Sequence, residues 1–90
     1  MAEKILLVEN QSGIHARPSA AIVECLKDYK DCKIHLETSQ GRADARSIME
    51  ILMLRALVGT EVKVIANGDG EEQAIAALEQ LFQDHFGVKE

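Results

Sequence analysis

The sequence predicts an α+β fold, a four-stranded antiparallel sheet with three helices on one face, in the order β-α-β-β-α-β-α. Three observations carry that prediction. Short apolar or alternating runs at residues 4–8, 32–36 and 62–66 have the period of two expected of strands. Stretches around Ile22 and Leu78 repeat their apolar residues with a period of about 3.6, as amphipathic helices do. Length is the third: 90 residues, 47% of them hydrophobic, make one domain, residues 1–90, and a chain of this size buries only about 60–65% of its unfolded surface. Two layers, sheet and helices, are the economical solution.

The first strand spans Lys4 to Val8 and ends in the polar loop Glu9, Asn10, Gln11, Ser12 and Gly13. A helix follows, with Ile22, Cys25, Leu26 and Tyr29 on one side and Arg17, Ala20, Glu24 and Lys27 on the other. Pro18 suits its first turn, where the missing amide hydrogen breaks no internal bond. Cys32, Ile34 and Leu36 alternate with Lys33, His35 and Glu37 as a second strand, and a turn at Ser39, Gln40 and Gly41 returns the chain through Arg42–Ala45 as a hairpin partner.

Ser47-Ile48-Met49-Glu50 has the S-x-x-E spacing of a capping box, so a second helix starts at Ser47, with the Ser hydroxyl and Glu carboxylate satisfying each other's amides. Nothing before Gly59 breaks it, and Gly59 is the expected stop. Val62, Val64 and Ala66 then form the last strand, closed by the turn Asn67-Gly68-Asp69-Gly70. The third helix carries Ala74, Ile75, Leu78, Leu81 and Phe82 on one face, is acidic in its first turn at Glu71 and Glu72, and ends at Gly87.

Composition removes several function classes. With 10 basic against 15 acidic residues, the net charge of -5 disfavours a nucleic-acid backbone as partner. Aromatics at 3% leave only Tyr29, Phe82 and Phe86, too few to stack single-stranded bases. No apolar run approaches the roughly 20 residues of a membrane span, and the first ten residues lack a basic region and cleavage site, so no membrane insertion and a cytoplasmic location are expected. Cys25 and Cys32 fit neither a disulfide framework nor CxxC spacing and read as buried thiols. No metal site is expected either, since no histidine stands at a ligand spacing from another His, Cys or carboxylate.

Chemistry concentrates at one histidine. His35 on the outward phase of a strand and His85 near the end of the last helix read as surface residues. His15 lies in Gly13-Ile14-His15-Ala16-Arg17-Pro18, where a loop meets a helix start whose free amides and dipole favour an anion. Arg17 adds a planar, permanently charged donor for phosphate oxygens. A neutral imidazole beside such donors is a sensible phosphoryl acceptor. Spacing alone leaves other readings open: His15 as a helix cap with Arg17 a solvated charge, an anion-binding or regulatory module using the same helix N-terminus, and a hydrolytic pair of His15 with Ser12 or Ser19, which no oxyanion-hole motif accompanies.

The stretch Gly13-Ile14-His15-Ala16-Arg17-Pro18-Ser19-Ala20 resembles the active-site signature of HPr, the histidine phosphocarrier family of the bacterial phosphoenolpyruvate-dependent phosphotransferase system. The likeness continues through Ser47-Ile48-Met49, Gly59 and the helix after Gly68-Asp69-Gly70. It implies an open-faced β-sandwich and a monomer without a cofactor. His15 would take phosphate on Nδ1 from enzyme I and pass it to an EIIA-type acceptor of the sugar or nitrogen branch, with Arg17 contacting the phosphoryl group. The run Ile51-Leu52-Met53-Leu54 is closer to the nitrogen-related branch, NPr.

In some members of the family the residue at Ser47 is phosphorylated by a dedicated serine kinase, which would add about two negative charges beside Arg17. This chain departs from that pattern at Glu50, where glycine is usual, and at Arg55, where the helix normally ends in Leu-Gly. The second helix also has more apolar residues than one core face needs. Ile51 and Leu54 share a face with Val58, while Ile48, Met49, Leu52 and Met53 spread around the rest. Exposed apolar side chains beside a functional loop mark protein docking. The resemblance implies a partner-binding surface of Ala20, Ile48, Met49 and Leu52 around His15.

Overall fold

The computed structural model describes residues 1–87, so that residues 88–90 of the expected 1–90 domain lie outside the described residues. The elements are β1 (Ala2–Leu7), α1 (Ala16–Leu26), β2 (Cys32–Thr38), β3 (Gly41–Asp44), α2 (Ile48–Met53), β4 (Glu61–Gly68) and α3 (Glu71–Gln83), followed by a 3₁₀ turn at His85–Gly87. The strands form one antiparallel sheet in the order β1-β4-β2-β3. This is the open-faced sandwich expected. Leu6 opposes Val62 and Leu36 opposes Val64, which puts these four buried residues on a single face.

That face and the helices enclose the core. Ile34, Leu36, Val62 and Val64 meet Ile22 and Leu26 of α1, Ile51 of α2, and Ala74, Leu78 and Phe82 of α3 in one buried cluster. Burying an aliphatic or aromatic side chain fully contributes about 1.5–3 kcal/mol. Phe86 joins them, its ring centroid 4.7 Å from that of Phe82. The other face of the sheet is open and largely charged: Lys63 pairs with Glu3 at 3.3 Å, and Ile5 is 59% exposed.

Several boundaries differ from the sequence reading, each for a contact made by a distant segment. Val8 leaves the first strand because its N–H donates to Thr60 O at 3.0 Å and its carbonyl accepts from Gly59 N at 2.8 Å. The first helix stops at Leu26 rather than continuing to Tyr29, because the Arg46 guanidinium gathers the carbonyls there. It donates to Cys32 O at 2.9 Å, to Leu26 O at 3.4 Å and to Tyr29 O. The last helix ends at Gln83, not Gly87, and the positive φ of His85 and Phe86 turns Phe86 back into the core.

The second helix departs most. It ends at Met53 with Leu54 as C-cap instead of running to Gly59, and Arg55 follows with φ 49°. Val58, expected beside Ile51 and Leu54, is therefore off the helix and 52% exposed. Its start is capped, although not reciprocally. Ser47 Oγ accepts from Glu50 N at 3.3 Å, but the Glu50 carboxylate accepts from Asp44 N at 2.9 Å, since Ser47 N already donates to Asp44 O.

Arg46 ties the end of α1 to the start of β2 with charge-assisted bonds to half-buried carbonyls. Arg46→Ala should lower stability by about 1.5–3 kcal/mol, and Arg46→Lys should recover only part, because one ammonium cannot span the same three acceptors. Urea denaturation of the three proteins measures both.

Candidate functional site

The site is built where two loops run side by side. Residues 8–14 leave β1, and residues 54–60 lead from α2 into β4. Besides the Val8 bonds to Thr60 and Gly59, Ile14 N donates to Ala56 O at 2.8 Å. Ile14 and Ala56 are both buried, so this contact is fixed by the core beneath it. Gly13 has φ 71°, and a Cβ there would stand 2.6 Å from Ala56 O and 3.1 Å from Leu57 Cα. Only glycine meets both conditions.

Asn10 locks the loop from within. It is fully buried, its Nδ2 donates to Gly13 O at 2.7 Å, and Gly13 N donates back to Asn10 O at 3.2 Å. Its Oδ1 is buried without a partner among the described residues. Sequence reading treated Asn10 as one polar loop residue among several. Its one available signal was an Asn three residues before a glycine, the spacing at which a side-chain amide reaches back to the backbone.

His15 is the N-cap residue of α1, half-buried, with extended backbone. Its carbonyl accepts from Ser19 N at 3.0 Å and from the buried Ser19 Oγ at 2.8 Å. The side chain does not cap the helix, so the reading of His15 as a side-chain cap is set aside. Its ring turns instead to the loop, with Nε2 3.2 Å from Ser12 Oγ. Ala16 and Arg17 are the first two residues of α1, whose amides precede the first intrahelical bond, and Pro18 has no N–H to offer. Two amides at the positive end of an eleven-residue helix therefore border the imidazole.

Arg17 is exposed on that first turn, and no ion pair among the described residues involves it. Ala20 is exposed one turn further along. Packing of α1 against α2 brings the second helix alongside. There Ile48 is 39% and Met49 73% exposed, whereas Leu52 is half-buried; Met53 and Leu57, which the sequence reading did not assign to this surface, are exposed with them. Ser47 sits half-buried at the start of the same helix. Of the two serines weighed as partners for His15, Ser12 meets the ring and Ser19 meets only the carbonyl. No described carboxylate bonds the imidazole as a hydrolytic triad would need.

An imidazole at an open helix N-terminus, with an unpaired arginine one turn in and an apolar helix beside it, defines a protein that handles an anion while docked to another protein. Comparison with known proteins makes the class specific. Residues 2–84 match the family described as the PTS HPr component phosphorylation site. The chain is 38% identical to the phosphocarrier protein HPr of Treponema pallidum over 96% of its own length and 97% of that protein's. It is 35% identical to the phosphocarrier protein NPr of Klebsiella oxytoca, with 88% of each chain covered. Among solved structures it superposes on HPr-C-His from Thermoanaerobacter tengcongensis with a TM-score of 0.91 at 37% identity, covering all of both chains. The chain belongs to the HPr family and is a phosphocarrier of the phosphotransferase system.

The loop pairing is the part of the site most sensitive to one atom. Gly13→Ala should cost at least about 2 kcal/mol, adding backbone strain at positive φ to a clash with a buried carbonyl. It should also increase amide exchange at Ile14, whose N–H crosses between the loops, and native-state hydrogen exchange reads that directly.

Proposed function

We propose that His15 is the residue that carries the phosphoryl group, taking it on Nδ1 from phosphorylated enzyme I and yielding it to an EIIA-type acceptor. The observation that carries the reading is the position of the ring, capping nothing and held at Nε2 by Ser12. In the tautomer whose Nε2–H donates to Ser12 Oγ, the lone pair stands on Nδ1, ready to attack phosphorus. As the P–N bond forms and the donor's bond to phosphorus breaks, charge arrives on the phosphoryl oxygens. The amides of Ala16 and Arg17, the α1 dipole and the Arg17 guanidinium meet it there. Return of the group to the next protein is the same step reversed, so the site must bind phosphate well enough to hold it and weakly enough to pass it on.

Docking in this reading uses Ala20, Ile48, Met49 and Leu52, and the protein acts as a cytoplasmic monomer. Methionine suits a surface that must fit a donor and an acceptor in turn. Ser47 lies at the edge of that surface, where a kinase-added phosphate would sit well on a helix end yet place negative charge before acidic partners. Both branches of the phosphotransferase system, sugar transport and nitrogen-related, remain compatible with this chemistry.

Incubation with phosphoenolpyruvate, Mg²⁺ and enzyme I should add one acid-labile, base-stable phosphate to the wild type. His15→Ala should abolish uptake while leaving the thermal midpoint nearly unchanged, because among the described residues the half-buried side chain bonds only the Ser12 hydroxyl. Retained phosphorylation of that variant would reject His15 as the acceptor.

Ser47→Asp keeps an oxygen acceptor for Glu50 N and adds negative charge at a helix start, so stability should hold or rise slightly. Transfer from enzyme I should fall several-fold against Ser47→Ala at low salt and recover at high salt, since repulsion between like charges is screened. Equal rates for the two variants at low ionic strength would place Ser47 outside the docking face.

A further inference from the structure

The turn after α2 carries a second arginine, Arg55, next in the chain to the residue that bonds Ile14. Gly13 lies against Ala56 O and Leu57 Cα, and Ile14 bonds Ala56 O. As one segment advances from Val8 to Ile14, its bonded neighbour retreats from Thr60 and Gly59 to Ala56. That is the antiparallel sense, and the residues that follow Ile14 and precede Ala56 are His15 and Arg55.

Arg55 is held there at a cost. Its φ of 49° lies in the left-handed region that glycine adopts freely and other residues avoid. Leu54 and Ala56 on either side are buried, at 3% and 2% exposure, while Arg55 itself is exposed. The turn is thus fixed by its neighbours. Among the described residues, Arg55 has no ion pair and no side-chain hydrogen bond. In contrast, Lys4, Lys27 and Lys63 are each paired with a glutamate, and Arg46 is spent on carbonyls. In a chain of net charge -5, the remaining arginines, Arg17, Arg42 and Arg55, have no ion pair among the described residues, and of these Arg17 and Arg55 belong to the two segments that meet at Ile14 and Ala56, next to His15.

We propose that Arg55 joins Arg17 in holding the phosphoryl group carried by His15, so that the bound phosphate of this chain lies between two guanidinium groups. The proposal rests on His15 being the acceptor. Arginine suits the role because its planar fork offers paired donors to phosphate oxygens and stays charged at every working pH. The strained backbone at Arg55 is then retained for a ligand that only the phosphorylated protein contains. Arg17 stands on the first turn of α1, and the turn that holds His85 packs against the same helix.

Phosphorus-31 NMR titration of the phosphorylated wild type, Arg55→Gly and Arg55→Lys tests this, with the nitrogen-15 shifts of the imidazole recording where the phosphate sits. A guanidinium near the phosphoryl group favours its doubly charged form. Arg55→Gly should therefore raise the pH midpoint of phosphoryl ionisation by roughly 0.7 units, the Coulomb effect of one charge at about 4 Å in a watery setting. Arg55→Lys should keep most of the wild-type midpoint. Over the same series the unphosphorylated Arg55→Gly protein should melt higher than wild type, because glycine relieves the positive φ. A purely structural residue would not show that pairing of increased stability with a looser grip on phosphate. Coincident titration curves for wild type and Arg55→Gly, with His15 phosphorylated in both, would overturn the proposal and leave the carrier assignment intact. Imidazole shifts showing no phosphate on His15 in the wild type would overturn the assignment itself, and the proposal with it.

Discussion

Backbone pairing between residues 8–14 and 56–60 is the constraint on which the functional end of the molecule depends. Val8, Gly59, Thr60, Ile14 and Ala56 exchange the bonds that join the two segments, and they do so just beyond the β1–β4 ladder, which ends at Leu7 opposite Glu61. The loops therefore inherit the direction of the sheet without its regularity. A helix continuing through Ala56 to Gly59 would direct those groups along its own axis, and the pairing would be lost. The six-residue length of α2 follows from the needs of a distant loop, and so does the left-handed turn at Arg55 that ends it.

Local patterns were enough to read most of the fold. Alternation in Cys32–Leu36 and Val62–Ala66 registers on the sheet as expected because each strand has one face on the core, and a one-residue slip would bury its charges. Ser47 was legible as an N-cap because capping is a property of four consecutive residues. What local patterns cannot show is competition from afar. Glu50 should have reached back to the Ser47 amide, yet that amide was already bonded to Asp44 O, so the carboxylate took Asp44 N instead. Arg46 looks like a solvated charge in sequence, and its role depends on carbonyls 14 to 20 positions upstream.

The candidate site divides the same way. Pro18 after His15-Ala16-Arg17 announces a helix start, and a helix start announces an anion, so His15 and Arg17 were legible from six residues. Ser12 was legible only as one of two serines that could meet the ring, and Asn10 was not legible, because its value is geometric: it fixes the loop from which Ser12 reaches Nε2. Arg55 was visible only as a departure from a family pattern, and its place beside the residue that bonds Ile14 emerges from the pairing of two loops that no periodicity encodes.

Charge distribution ties these parts to the work of a carrier. The chain is acidic overall, with a net charge of -5, and long-range attraction to acidic partners is weak at physiological ionic strength, where fields decay over about 8 Å. Arg17 and the apolar face of α2 act within that distance. On the proposed assignment, recognition is left to short-range contacts that form once His15 is already close to its donor, and repulsion between two acidic bodies would help them part once the group has moved. On the same assignment, phosphorylation of a neutral imidazole adds negative charge to the surface around His15, which would weaken the hold of an acidic protein that has just given up its phosphate. The same electrostatics that disqualify this chain as a nucleic-acid binder therefore suit it to brief, sequential meetings with proteins.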